Sequence, residues 1–106
     1  MSVTGNEDHS ISLSDAAKLT RNFRDAQPAP GILSHYFGKS ALSGLLGQSG
    51  CVGIRIYNAR KDDGTEALVM VGVNSSGDDL EDGDILEWGL PCPPFCPQSS
   101  ALSGTA

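Results

Sequence analysis

The stretch that most constrains the fold runs from residue 51 to residue 73, where two apolar runs flank a short polar segment. In the first run Val52, Ile54 and Ile56 alternate with less apolar residues, which is the period of a half-buried strand. The second run, ALVMVGV, is apolar at almost every step and is typical of a strand buried more deeply. Between them Gly64 supplies a residue that tolerates positive φ, as a tight reversal needs. The pattern predicts an antiparallel hairpin.

The residues before the hairpin predict two helices. Ser12 is placed to cap the first, with Asp15 reaching back as in a capping box, and Pro28 lies where this helix should end. Ser40 is a plausible cap for a second, shorter helix that carries leucines at i, i+3 and i+4 and closes at Gly47. Residues 31–38 fit either a short strand or an irregular connection.

The chain after the hairpin alternates between polar and strand-like segments. Residues 74–83 form a polar connection rich in acids, residues 84–88 predict a third strand, and four prolines within residues 91–97 favour an extended arm with few backbone donors. We therefore predict an α+β fold in which two N-terminal helices pack on an antiparallel sheet of three to four strands. The single domain spans residues 11–90, between a flexible tail at 1–10 and a Pro/Cys-rich arm and flexible tail at 91–106.

Charge is unevenly distributed along the chain, whose formal net charge is -6. Residues 1–61 hold all seven Lys and Arg side chains with four acids, and residues 62–106 hold nine acids and no base. An acidic protein is poorly suited to nucleic acid, because affinity for phosphates grows with Lys and Arg contacts. No stretch approaches the roughly 20 apolar residues that cross a bilayer, so no membrane partner is expected. The acidic half is either a solvated loop or one of two complementary faces for self-association.

Complementary faces lead to a specific hypothesis about function. We predict a non-enzymatic interaction or self-assembly module without a cofactor, whose partner is the protein itself or another protein. The first helix of one subunit would meet the acidic loop of the next, and a contact of this head-to-tail kind produces rings or filaments. The residues assigned to it are Lys18, Arg21 and Arg24 on one side and Asp78, Asp79, Glu81, Asp82 and Asp84 on the other.

The three cysteines support a rival hypothesis, a metal or thiol-redox site on Cys51, Cys92 and Cys96. Three thiolates could hold zinc or an iron–sulfur cluster, with His35, water or a second subunit as the fourth ligand. An extended path through Pro93 and Pro94 would separate the last two cysteines by roughly 12 Å. Either a metal site or a disulfide therefore needs a turn there, and unreactive thiols are the third alternative. The odd cysteine count and the lack of a signal-peptide pattern predict a cytoplasmic location.

No catalytic constellation is apparent in the sequence, because no Ser or Cys pairs with a His and an acid at a recognisable spacing. His35 and Tyr36 could form an acid–base pair, although we expect His35 to be packed with both ring nitrogens satisfied. The acidic loop does not match a calcium-binding loop, since Leu80 and Gly89 occupy positions where carboxylates are required.

One face of the first hairpin strand carries Arg55 and Tyr57, which could act as an anion clamp. Arg55 is expected instead to face an acid such as Glu66 or Glu87 across the sheet.

Several segments in order resemble a family of small uncharacterised bacterial proteins of about this length. They are Phe37-Gly38-Lys39, then residues 51–57, 71–73 and 91–96, and the likeness covers residues 11–97. It implies a bacterial, cytosolic protein and no mechanism. A second resemblance is to the A-type iron–sulfur carriers, whose Gly-Cys-x-Gly element fits residues 50–53. That family has Cys-Gly-Cys near its C-terminus, where this chain has Cys92-Pro-Pro-Phe-Cys96, and the likeness implies a cluster held by cysteines.

Overall fold

The structure, a computed structural model, describes residues 1–27 and 31–105. It confirms the α+β class, with two helices and two small antiparallel sheets. Neither helix in these residues is long and apolar enough to cross a membrane. The predicted stop of the first helix at Pro28 lies outside the described residues. The elements are α1 (Leu13–Ala26), β1 (Ser34–Tyr36), α2 (Lys39–Leu46), β2 (Gly53–Arg60), β3 (Glu66–Val73), β4 (Ile85–Leu86) and β5 (Leu90–Cys92).

The chain divides into two compact units. One, the hairpin unit, comprises Met1–Glu7 and Phe37–Gly89. The other, the α1 unit, comprises Asp8–Tyr36 and Leu90–Ala106. This grouping differs from the single packed region over residues 11–90, and it places α1 with β1 and β5 rather than with the hairpin sheet.

The hairpin unit is built on the antiparallel pair that the sequence predicts. Gly53 lies opposite Val73 and the register continues to Arg60 opposite Glu66. Gly64 adopts φ +90°, and its N–H donates to the Lys61 carbonyl at 2.9 Å, which closes the turn. The two-residue strand β4 adds to β3, so the strand order is β2-β3-β4 and β2 lies at an edge. Of the three strands in this sheet, β3 is the central one, and this position accounts for its apolar run.

The core of the hairpin unit lies around β3. Met70 and Val71 point to opposite faces of the sheet and both are buried, so the strand is covered on each side. Leu45 of α2 is fully buried. A Cβ placed on Gly72 would lie 2.8 Å from the Gln48 Nε2, which shows how closely the residues after α2 approach the strand. Burial of apolar side chains of this size contributes about 1.5–3 kcal/mol each.

The two helix starts differ in how well the sequence predicts them. Ser12 caps α1, because its hydroxyl oxygen accepts a hydrogen bond from the Asp15 amide at 3.1 Å. For α2 the predicted cap is wrong: Gly38 is the N-cap, and Ser40 lies inside the first turn. Glycine has no side chain to compete with the backbone and takes the extended conformation that a helix start requires. The predicted end at Gly47 is confirmed.

The second sheet is a two-stranded pair within the α1 unit. Residues 34–36 form β1, which decides between the two alternatives for this region in favour of a strand. Its partner is β5, with His35 opposite Pro91. The start of the predicted extended arm is thus a short strand, and one sheet of three to four strands becomes two sheets of three and two. Proline is tolerated in β5 because both strands of such a pair are edges.

Both ends of the chain make hydrogen bonds where the sequence predicts flexible tails. The Val3 N–H donates to the Ser75 carbonyl at 3.0 Å, and the Glu7 carboxylate accepts from the backbone amide of Thr4 at 2.8 Å. Near the other end the Thr105 N–H donates to the Ser100 carbonyl at 3.0 Å and closes a turn. In a tail without such bonds, these backbone N–H groups would bind water instead.

Candidate functional site

The first candidate site is a groove of about 580 Å³ along α1, which we call the basic groove. Lys18, Arg21 and Arg24 line one wall, because residues three apart on a helix lie on neighbouring turns of one side. Ala101 and Gly104 from the C-terminal turn line the groove as well. The structure therefore brings together all three basic residues that the sequence assigned to an interaction face. Ser14, Asp15 and Ala17 also line the groove.

Arg24 fixes the C-terminal turn to α1. Its Nη1 donates to the Leu102 carbonyl at 2.8 Å, and a Cβ on Gly104 would come within 2.7 Å of its Nη2. The guanidinium therefore lies close against the turn at Gly104, whose φ of +79° also favours glycine. Lys18 and Arg21 are exposed, and among the described residues neither has a salt-bridge or hydrogen-bond partner. They are the charges that the groove presents to a ligand.

The acidic loop, residues 78–84, contains one carboxylate unlike the others. Asp79 pairs with the Arg55 guanidinium and accepts a hydrogen bond from the Tyr57 hydroxyl. Arg55 also donates to the Gly77 carbonyl at 3.1 Å. Arg55 and Tyr57, which were considered from the sequence as an anion clamp, therefore hold a carboxylate of the chain itself.

Arg55, Tyr57 and Asp79 form a triad whose contacts shift the pKa of each member. The Tyr57 hydroxyl, and then the Arg55 guanidinium, hold the pKa of Asp79 below its usual range. Donation to the same carboxylate raises the pKa of Tyr57, because loss of the phenolic proton would place two negative charges side by side. Asp79 raises the pKa of Arg55 as well. The carboxylate is ionised and fully engaged at neutral pH.

Arg55 does face an acid, as predicted, but that acid is Asp79 and not Glu66 or Glu87. Glu66 lies opposite Arg60 in the hairpin register, and Arg55 turns to Asp79 of the loop that follows β3. Asp79 forms an isolated β-bridge with Val73. This bridge places the Asp79 side chain on the face of the sheet where Arg55 lies. The alternation of Arg55 and Tyr57 was the one sequence signal that pointed to this site.

The remaining acids of the acidic loop face solvent. They make no salt bridge with the residues that the structure describes, and they are Asp78, Glu81, Asp82 and Asp84. Gln48 ties the loop to the end of α2, because its Oε1 accepts from the Asp84 amide at 2.9 Å while its Nε2 donates to the Leu45 carbonyl at 2.9 Å. A shallow cavity of about 340 Å³ lies between Gln48 and the loop. No pattern in the sequence indicated this role of Gln48.

The cysteines divide between the two units. Cys92 and Cys96 form a disulfide with a Cα–Cα distance of 4.8 Å, far shorter than the extended path predicts. The turn lies at the prolines, where the Cys92–Pro93 and Pro93–Pro94 peptide bonds are both cis, and the Phe95 N–H donates to the Pro91 carbonyl at 2.9 Å. Cys51 is a half-buried free thiol of the hairpin unit that donates to the Gly53 carbonyl. Across residues 1–27 and 31–105 no group of three or more His, Cys, Asp or Glu side chains is arranged to hold a metal ion.

His35 and Tyr36 do not form the acid–base pair considered from the sequence. Neighbouring residues of a strand point to opposite faces, and Tyr36 is exposed while His35 is half-buried. The expectation that both ring nitrogens of His35 are satisfied was also wrong. Its Nε2 is buried without a hydrogen-bond partner among the described residues.

No protein-family model, curated protein or solved structure matches this chain. The proposals below therefore rest on the geometry of the described residues.

Proposed function

We propose that the protein is a non-enzymatic self-association module in which the basic groove of one copy binds the acidic loop of another. The observation that carries the proposal is the groove itself, where α1 gathers three cations and Arg24 fixes the opposite wall. Lys18 and Arg21 present their charges to a ligand. Asp79 takes no part, because Arg55 and Tyr57 already hold its carboxylate.

The charges on the two surfaces suit each other in number and sign. Three cations and the single carboxylate of Asp15 give the groove a net charge of +2. The acidic loop offers four exposed carboxylates within seven residues. A single exposed ion pair contributes only about 0.2–1 kcal/mol, so binding depends on several pairs acting together. Such contacts weaken as salt rises, because the screening length falls from about 10 Å at 0.1 M to about 3 Å at 1 M.

The groove and the acidic loop are different patches, so their contact is heterologous. Each copy offers one groove and one loop, and successive contacts close into a ring or continue as a filament. The distribution of assembly sizes against concentration distinguishes these two results.

Light scattering at low and high salt tests the proposal directly. We expect groove–loop assemblies at low salt that dissociate as salt rises. Arg21→Glu should abolish them, whereas Lys39→Glu makes the same change in charge on α2 and should leave them intact. A mixture of Arg21→Glu with Asp82→Arg should restore association, because each variant keeps one native surface and the altered surfaces complement each other. A monomer at every protein concentration in low salt refutes the proposal.

A second candidate function is thiol–disulfide exchange at Cys92 and Cys96, and the observed disulfide favours it. Cys96 is exposed and Cys92 is buried, so an incoming thiolate would attack the Cys96 sulfur and release Cys92 as a thiolate. We place the protein in the cytoplasm, where such a bond is transient. After reduction, Cys92 and Cys96 would also be available to zinc or an iron–sulfur cluster.

A thiol count with and without reductant, together with elemental analysis, tests this second candidate. Exchange predicts one titratable thiol, that of Cys51, in the oxidised protein and three after reduction. Bound zinc or iron in protein purified without chelators would favour the metal alternative. Three titratable thiols without reductant, in metal-free protein, would exclude both.

A further inference from the structure

β2 is eight residues long, and the backbone groups that it presents to its outer edge have no partner within the described chain. β2 ends the strand order of its sheet, and among residues 1–27 and 31–105 the backbone hydrogen bonds beside it, apart from the β3 ladder, are those of Val52 and Lys61 to the hairpin itself. An unpaired edge of this length is a template for another strand. Edge strands that avoid pairing are usually short or interrupted by proline, and β2 is neither.

The two faces of this edge expose apolar side chains at its centre. Ile56 is 55% exposed and Tyr57 is 46% exposed, and as neighbours in a strand they lie on opposite faces of the sheet. A strand added to β2 would therefore cover apolar surface on both sides while pairing its backbone.

We propose that the added strand is β2 of a second copy, antiparallel about a two-fold axis that passes beside Ile56. The two three-stranded sheets then join into one sheet with the order β4-β3-β2-β2-β3-β4. This contact is isologous and closes as a dimer. It uses a different surface from the basic groove and from the four exposed carboxylates of the acidic loop, and it stands independently of that proposed interaction.

The choice of register follows from the side chains. A two-fold axis normal to the sheet keeps each face on its own side, so a residue opposes only residues of its own face. With the axis at Arg55, two arginines would lie directly opposite each other, which is unfavourable. With the axis at Ile56, that residue packs against its own copy and Arg55 lies opposite the partner's Tyr57. Arginine beside an aromatic ring is a favourable cross-strand pair.

The same register keeps the remaining charges apart. Arg55 carries its own counterion, Asp79, into the contact, so the centre of the joined sheet is electrically balanced. Arg60 would lie opposite Val52 of the second copy and far from the other Arg60. No like charges meet directly across the strands.

Sedimentation equilibrium at high salt tests the dimer, because salt screens the groove–loop contact and leaves backbone pairing and apolar contact in place. We expect the wild type to dimerise and Ile56→Lys, which puts two lysines face to face, to weaken dimerisation at least about tenfold. Ile85→Lys is the matched control, since Ile85 is 54% exposed on the opposite edge of the same sheet. A monomeric wild type at high salt, or an Ile56→Lys protein that dimerises as tightly as wild type, overturns the proposal.

Crosslinking tests the register in a Cys51→Ser background. Ile56→Cys should form a covalent dimer under mild oxidation, because directly opposed residues have Cα atoms about 4.5–5.5 Å apart, within disulfide range. Tyr57→Cys should crosslink much less. Crosslinking that is stronger at Tyr57→Cys than at Ile56→Cys overturns the register centred on Ile56.

Discussion

The Tyr57 hydroxyl donates a hydrogen bond to the Asp79 carboxylate, and this contact ties the exposed face of β2 to the loop after β3. Arg55 completes the group from the same face of the strand. The Asp79 carboxylate therefore stabilises the fold, while the other carboxylates of the acidic loop are available to partners.

This contact should be visible in the titration of Tyr57. In a Tyr36→Phe background Tyr57 is the only tyrosine, and tyrosinate absorbance should give a pKa above the ordinary value of about 10. Asp79→Asn should return that pKa towards 10, because the neutral amide no longer opposes the phenolate. Asp78→Asn serves as the control and should leave the titration unchanged. An equal pKa in all three proteins would contradict the geometry.

The same triad should make stability depend on pH at both extremes. The folded pKa of Asp79 is depressed, so its contribution is present above its unfolded value of about 3.9 and is lost as pH falls through the folded pKa. The folded pKa of Tyr57 is raised, so its contribution is present below about 10 and is lost as pH rises through the folded pKa. Denaturant midpoints measured across pH should therefore fall less steeply at both ends for Asp79→Asn than for wild type. Parallel profiles for the two proteins would show that the triad is not formed.

The adjacent leucines of α2 allow a direct test of where the core lies. Leu45 is fully buried and Leu46 is 49% exposed. We expect Leu45→Ala to lower the free energy of unfolding by about 2–5 kcal/mol, through lost burial and the cavity left behind. Leu46→Ala should change it by no more than about 0.5 kcal/mol. Similar effects of the two substitutions in denaturant titrations would place α2 in a different rotation about its axis.

Two glycines of the hairpin unit should respond oppositely to alanine. Gly44 lies within α2 with no atom near its missing Cβ, so Gly44→Ala should stabilise the protein by roughly 0.5–1 kcal/mol. A Cβ on Gly72 would come within 2.8 Å of Gln48 and 3.0 Å of the Cys51 Sγ, so Gly72→Ala should destabilise it. Thermal unfolding of both variants measures the pair. A stabilising Gly72→Ala would show that Gln48 moves aside without cost.

The sequence alone determined the local elements of this protein. Alternation in β2, a glycine at the turn and an apolar β3 specify the hairpin, because the residues that pair are close along the chain. Ser12 specifies the start of α1 in the same way, since a cap and the amide it binds are three residues apart. Lys18, Arg21 and Arg24 lie three residues apart along α1, so their place on one side of the helix is a local property as well.

Only the tertiary structure decided which distant groups meet. Several acids follow Arg55 in the sequence, and the path of the loop after β3 brings Asp79 to it. That loop has no periodicity from which this contact could be predicted. The pairing of β1 with β5 was missed for a related reason, since prolines lower the expectation of a strand without excluding an edge position. The turn that joins Cys92 to Cys96 was one of the alternatives left open by the sequence, because Pro93 and Pro94 fit an extended path as well. Local patterns describe what one segment can form, and contacts between segments depend on how the whole chain returns on itself.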